Sequence, residues 1–148
     1  MAYSHTDGGT ISQILSDVLT ANTLYTLSVS VGDRLDQPFP GLGYSINLLA
    51  GSTVLASTST PVPLDGLFAT ATVQFQTFAD HPNLGAALQI QLITHTGGQV
   101  NYDNVLLDAQ GAHVVPEPSG MILFGTGLLA FLGCKRRRQS RADECDIT

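Results

Sequence analysis

The chain has 148 residues and a formal net charge of −6, from 6 Lys or Arg and 12 Asp or Glu. Nearly all the basic residues lie after Cys134, and residues 1–114 carry a single one, Arg34, among many Asp. Such an acidic body repels phosphate backbones, which argues against nucleic acid as a partner.

The beginning of the chain is polar. Residues 1–10 contain neither the basic nor the apolar region of a signal peptide, so we expect the natural start to lie upstream. The next apolar residues, at positions 11–19, fit one more strand, although Gln13, Ser16 and Asp17 leave a short helix open.

Period-two alternation of apolar and polar side chains dominates the body. It predicts half-buried strands at residues 25–31, 44–48, 53–57, 69–76, 88–92 and 99–109. Gly- and Pro-containing segments between them, such as Gly51-Ser52 and Gly97-Gly98, predict tight turns. Seven or eight short strands of this kind indicate a mainly β fold, an antiparallel β-sandwich over residues 1–110. Local patterns leave open a jelly-roll or an immunoglobulin-like topology.

The last strand changes parity. Val100 and Tyr102 share one face, whereas Val105 and Leu107 continue on the other. An extra residue near Asp103-Asn104 reconciles the two halves, which predicts a β-bulge there.

The body resembles the galactose-binding-like jelly rolls, most clearly in Tyr102-Asp103-Asn104-Val105 and in the run at residues 44–51. The resemblance implies a jelly roll, and some members of that class bind carbohydrate through exposed aromatic rings. Three loop phenylalanines are interpreted as lids over the sandwich ends or, alternatively, as sugar platforms: Phe39, Phe68 and Phe78.

Oxygen-bearing side chains suggest a structural calcium ion as a further candidate, because calcium prefers hard oxygen ligands. The candidate ligands are Asp33, Asp36, Asn101, Asp103 and Asn104. The alternative is that these residues form turns and accept backbone hydrogen bonds at the bulge. We expect no other cofactor.

No pattern indicates catalysis. The body contains no Glu, which disfavours a paired-carboxylate glycosidase. The four histidines occur singly, without metal-ligand spacing: His5, His81, His95 and His113. The sequence therefore predicts a protein that is not an enzyme and has no catalytic residues.

The C-terminal quarter of the chain has a separate organisation. Residues 111–119 form a linker containing the motif Val115-Pro116-Glu117-Pro118-Ser119, and residues 120–134 are uncharged. The uncharged run predicts a short transmembrane helix, since 15 residues cover about 22 Å at ~1.5 Å each. A basic cluster then opens a cytoplasmic tail at residues 135–148: Lys135, Arg136, Arg137 and Arg138. Positive charge is retained on the cytoplasmic side, which places the body outside.

This order of Pro-Glu-Pro, apolar helix and basic cluster resembles the PEP-CTERM sorting signal. The resemblance implies that exosortase, a membrane-embedded transpeptidase, recognises Pro116, Glu117 and Pro118. We therefore expect an exported, non-catalytic protein sorted to the cell envelope or the exopolysaccharide matrix, anchored in the membrane at least transiently. Its expected role is adhesion or matrix structure, and the alternative is a carbohydrate-binding module that recognises extracellular glycans.

Overall fold

The computed structural model describes residues 2–4 and 8–111. The predicted linker, sorting motif, transmembrane helix and basic cluster, residues 112–148, lie outside this part. Within the described residues no helix is long and apolar enough to cross a membrane.

The described chain folds into eight strands. They are β1 (Ala2–Ser4), β2 (Gly9–Val18), β3 (Thr23–Gly32), β4 (Tyr44–Ala50), β5 (Thr53–Thr58), β6 (Phe68–Gln76), β7 (Ala87–Thr94) and β8 (Val100–Gly111). Each predicted strand is present, and the ambiguous N-terminal segment is strand β2, because it pairs with β7 from Gly9 to Val18.

The strands form two four-stranded sheets. Sheet 1 has the order β1-β8-β3-β6 and sheet 2 the order β2-β7-β4-β5. Every pairing is antiparallel, which confirms the prediction of a mainly β, antiparallel architecture. Neighbours in each sheet are mostly distant in sequence, so the chain crosses repeatedly between the sheets.

The core lies between the two sheets and uses the alternating faces that the sequence predicts. Alternate side chains of β3, from Tyr25 to Val31, are almost fully buried. Tyr25, Tyr44 and Tyr102 are among the largest fully buried side chains. The Tyr44 hydroxyl donates a hydrogen bond of 2.7 Å to the Pro61 carbonyl, and the Tyr44 and Tyr102 rings meet edge to face with centroids 6.4 Å apart. These contacts satisfy the polar end of a large apolar side chain inside the core.

The predicted bulge in β8 is confirmed. Ser28 pairs with Leu106 and Ser30 with Asp103, so Val29 of β3 lies opposite two residues of β8. Asn104 absorbs the extra residue in the left-handed region, at φ 47°, which Asn tolerates better than most residues. Its backbone N–H donates to Asp103 Oδ1 over 3.0 Å. The bulge therefore holds the Asp103 carboxyl group against its own strand.

One end of the sandwich is closed by a tight contact between loops. Gly98, in the β7–β8 turn, lies so close to the β3–β4 loop that a Cβ there would stand 2.3 Å from the Pro38 carbonyl oxygen. The Gln99 N–H donates to that same oxygen over 3.0 Å. This approach requires glycine, because any side chain at position 98 would meet backbone atoms.

Candidate functional site

A cleft opens along one side of the sandwich, where β2 of sheet 2 lies near β8 of sheet 1. Its volume is about 360 Å³, within the usual range for small-molecule sites. The lining residues are Ile11, Ser12, Gln13, Ile90, Leu92, Tyr102, Asp103, Asn104 and Val105. The cleft is thus mainly apolar, with a few polar groups at its walls.

The apolar part of the cleft continues the inner layer of sheet 2. Ile11 pairs with Leu92 and Gln13 with Ile90, so the side chains of these pairs share one face. Ile90 and Leu92 are buried in the core, whereas Ile11 is partly buried and packs against it. Because β2 is the outermost strand of sheet 2, the apolar inner layer of that sheet is accessible to a ligand along the β2 edge.

Tyr102 lines the inner side of the cleft and is 1% exposed. Its hydroxyl donates to the Ile93 carbonyl over 3.0 Å and lies 3.0 Å from Thr94 Oγ1. Burial raises the pKa of Tyr102 to about 12, and burial together with the neighbouring Tyr102 raises the pKa of Tyr44 to about 12. The Tyr102 phenol is therefore neutral at physiological pH, and its hydrogen bond to the Ile93 carbonyl anchors β8 to β7.

These tyrosine pKa values predict alkaline destabilisation. The unfolded-state phenol ionises near pH ~10 and the folded one near pH 12. The stabilisation is complete below pH ~10 and is lost as the pH rises towards 12. We expect the free energy of unfolding to fall by up to roughly 2–3 kcal/mol for each of Tyr44 and Tyr102 across that window. Urea unfolding at a series of pH values measures the loss, and Tyr102→Phe is expected to reduce it by about half. An equally steep loss in the variant would contradict the assignment to Tyr102.

Asp103 and Asn104 form the wall of the cleft that belongs to β8. Asp103 is half-buried and Asn104 is exposed. The Asn104 side-chain amide lies 3.4 Å from Ser30 Oγ on the neighbouring strand. The bulge fixes both backbones, and Asp103 brings a carboxyl group to the residues that line the cleft. Such a carboxyl group is suited to proton transfer with a bound molecule.

Gln13 lies on the opposite wall, on strand β2. It shares the inner face with Ile11 and Leu15 but is exposed in the cleft, while both neighbours are partly buried. Sequence reasoning noted Gln13 only as a residue compatible with a helix and missed it as a site residue. The available signal was the polar side chain at a position where the strand alternation calls for an apolar one.

The predicted calcium ligands do not all lie in the cleft. Asp103 and Asn104 line it, whereas Asp33 lies at the end of β3 and is 7% exposed. Burial and the nearby Asp65 carboxyl group raise the pKa of Asp33. Asp36 accepts hydrogen bonds of 2.7 and 2.5 Å from Arg34, which lower its pKa. Over residues 2–4 and 8–111 no group of three or more His, Cys, Asp or Glu could hold a metal. A calcium site stays a prediction.

The loop aromatics are arranged in different ways. Phe39 is half-buried and meets Tyr44 edge to face, with centroids 6.1 Å apart. Phe68 and Phe78 are 49% and 65% exposed. Phe39 therefore serves as a lid, whereas the Phe78 ring remains largely accessible.

Two histidines make contacts within the described chain. His95 Nε2 lies 3.1 Å from Ser45 Oγ, and His81 Nδ1 accepts the Asn83 N–H over 3.2 Å. His5 and His113 lie outside the described residues. The two described histidines are well separated in the fold, so they give no sign of a metal site.

The body is similar in sequence and structure to known cyclases. Residues 1–108 match the HpiC1-like family model, described as HpiC1 cyclase. A cyclase from Fischerella sp. TAU in complex with 4-(1H-indol-3-yl)butan-2-one has 39% identity and a TM-score of 0.63 over 70% of this chain and 57% of that one. The Stig cyclase Fisc from the same organism, in complex with (3Z)-3-(1-methyl-2-pyrrolidinylidene)-3H-indole, has 39% identity and a TM-score of 0.62 over 69% and 56%.

The chain therefore spans little more than half the length of these cyclases. A comparison with curated proteins found no match. The C-terminal part matches the PEP-CTERM protein-sorting motif at residues 114–138, which confirms the predicted sorting signal. The motif marks the chain as an exported, envelope-associated protein and implies processing by exosortase.

The prediction that the body is not an enzyme is wrong, because its family and its structural neighbours are cyclases. The prediction looked for carboxylate pairs and histidine clusters, whereas the cleft offers a single Asp placed by a bulge. The resemblance to galactose-binding-like domains is likewise replaced by a more specific match. Over residues 1–108 the chain belongs to the HpiC1-like cyclase family, and it carries a PEP-CTERM sorting motif at residues 114–138.

Proposed function

We propose that the body is an exported cyclase that binds a compact, largely apolar molecule in the cleft between β2 and β8. The observation that carries this proposal is the cleft itself, about 360 Å³ in volume, with mainly apolar walls and Asp103 among its lining residues. An apolar site with a few placed polar groups is the usual form of a small-molecule site. Membership of a cyclase family supports a catalytic use of that site.

Asp103 is the proposed acid. In its protonated form it gives a proton to an alkene carbon of the substrate, which leaves a carbocation at the neighbouring carbon. Electrons of an aromatic ring attack that carbon and form the new C–C bond. The ring then loses a proton to the Asp103 carboxylate. The reaction is an isomerisation and needs neither oxidant nor reductant, and the apolar walls exclude water that would otherwise capture the cation.

Ligand binding provides the direct test. We expect 4-(1H-indol-3-yl)butan-2-one, the molecule bound by one of the similar cyclases, to shift the NMR methyl signals of Ile11, Ile90 and Leu92. Methyl groups of the opposite end of the core, such as those of Leu19, are expected to remain unchanged and serve as the internal control. Shifts of Leu19 alone, or no shift at saturating ligand, would contradict the proposal.

The strand orders β1-β8-β3-β6 and β2-β7-β4-β5 support a jelly roll as the finer description of the sandwich. The sorting motif supports a transient anchor at residues 120–134, with the body on the non-cytoplasmic side of the membrane. A role in adhesion or in the exopolysaccharide matrix is a separate prediction, and the exposed Phe78 ring is the feature that would favour glycan binding.

A further inference from the structure

The cleft has polar groups on two walls. Asp103 stands on β8 and Gln13 on β2, while Ile90, Leu92 and Tyr102 lie in the deeper, buried part. A ligand in this cleft therefore meets apolar side chains over its body and a polar group at either edge. The proposed chemistry uses Asp103 and leaves the role of Gln13 open.

The position of Gln13 costs the protein apolar contact. Gln13 pairs with Ile90 across the strands and lies between Ile11 and Leu15, which both pack against the core. An apolar side chain here would extend the same layer and bury further surface, worth about 0.8 kcal/mol per buried CH₂ group. The amide instead presents both a hydrogen-bond donor and an acceptor to the cleft.

From this placement we infer that Gln13 determines specificity by hydrogen-bonding the polar group of a compact, otherwise apolar ligand. The inference rests on the proposed function of the cleft, and indole compounds are suitable probes because a similar cyclase binds 4-(1H-indol-3-yl)butan-2-one. A cleft of about 360 Å³ has room for such a molecule.

Binding of matched ligand pairs tests this role. Indole is compared with indene, which lacks the ring N–H, and 4-(1H-indol-3-yl)butan-2-one with 3-butylindole, which lacks the carbonyl. The chain contains no Trp, so the indole fluorescence of the ligands reports binding without interference from the protein. Indene is measured by competition against a bound indole.

We expect the full chain to prefer the polar member of at least one pair by about 3- to 10-fold, the usual worth of one hydrogen bond. Gln13→Leu is expected to remove that preference and to bind the apolar member equally well or more tightly. Gln74→Leu, on the exposed face of β6, makes the same exchange outside the cleft and is expected to keep the preference. Thermal unfolding of each variant verifies that it is folded.

The outcomes separate the two proposals. If Gln13→Leu keeps every preference of the unmodified chain, the role of Gln13 is refuted and the cleft remains a binding site. A folded chain that binds both members of each pair equally well also refutes it. If the folded chain binds none of the four compounds, the proposed function of the cleft fails, and the role of Gln13 fails with it.

Discussion

An Asp103→Asn variant is expected to lose ring-closing activity by about 10²–10⁴-fold, the typical contribution of general acid catalysis. Asn has nearly the same size and keeps an oxygen that accepts the Asn104 N–H, which Asp103 Oδ1 accepts over 3.0 Å. The bulge should therefore survive. What the amide cannot do is give up a proton to the substrate.

The activity is measured on an indole carrying an unsaturated side chain, whose cyclised product has the same mass and separates by chromatography. In D₂O the product should gain one deuteron at the protonated carbon. Asp108→Asn is the matched control, because Asp108 lies on the same strand, is exposed and contacts Gln110. Full activity of Asp103→Asn, or an equal loss in both variants, would remove Asp103 from the proposed mechanism.

Gly98→Ala is expected to lower the stability of the fold. Its Cβ would stand 2.3 Å from the Pro38 carbonyl oxygen and 2.4 Å from the Pro40 nitrogen. Both are backbone atoms, so they cannot move aside by a side-chain rotation. We expect a loss of about 1–3 kcal/mol in the free energy of unfolding, from overpacking and from the displaced Gln99 to Pro38 hydrogen bond.

Urea unfolding of the unmodified chain and of Gly98→Ala measures this loss. Gly41→Ala provides the control, because a Cβ at position 41 meets nothing within 4 Å. The control should be neutral or slightly stabilising, since alanine restricts the unfolded chain. A Gly98→Ala protein as stable as Gly41→Ala would show that the two loops separate at little cost.

Much of the fold could be predicted because each half-buried strand gives a local alternation of apolar and polar residues. The alternation that places Tyr25, Tyr44 and Tyr102 on buried faces is visible in neighbouring residues of the sequence. The parity change between Tyr102 and Val105 likewise predicts the bulge without knowledge of the partner strand. The choice of one topology depends on contacts between distant strands, and that choice stayed open at the level of sequence.

The cleft could not be predicted for the same reason. Gln13 and Asp103 are far apart in sequence and come to one cleft only because β2 and β8 border it. A single Asp within or beside a strand is also the ordinary mark of a bulge or a turn. The error about catalysis followed, because patterns of several acidic or histidine residues were required, whereas the proposed acid is a single carboxyl group.

The extra residue at Asn104 has an evolutionary consequence. Loss of one codon at this point would remove the extra residue and restore even pairing with β3, while Leu106 and Leu107 would keep Ser28 and Leu27 as partners and stay on their present faces. The sandwich core would be preserved, because Val100 and Tyr102 precede the bulge and Leu107 would keep its place. A single deletion would therefore reshape the wall of the cleft at Asp103 and Asn104 without unpairing the sheet, and a single insertion would rebuild it.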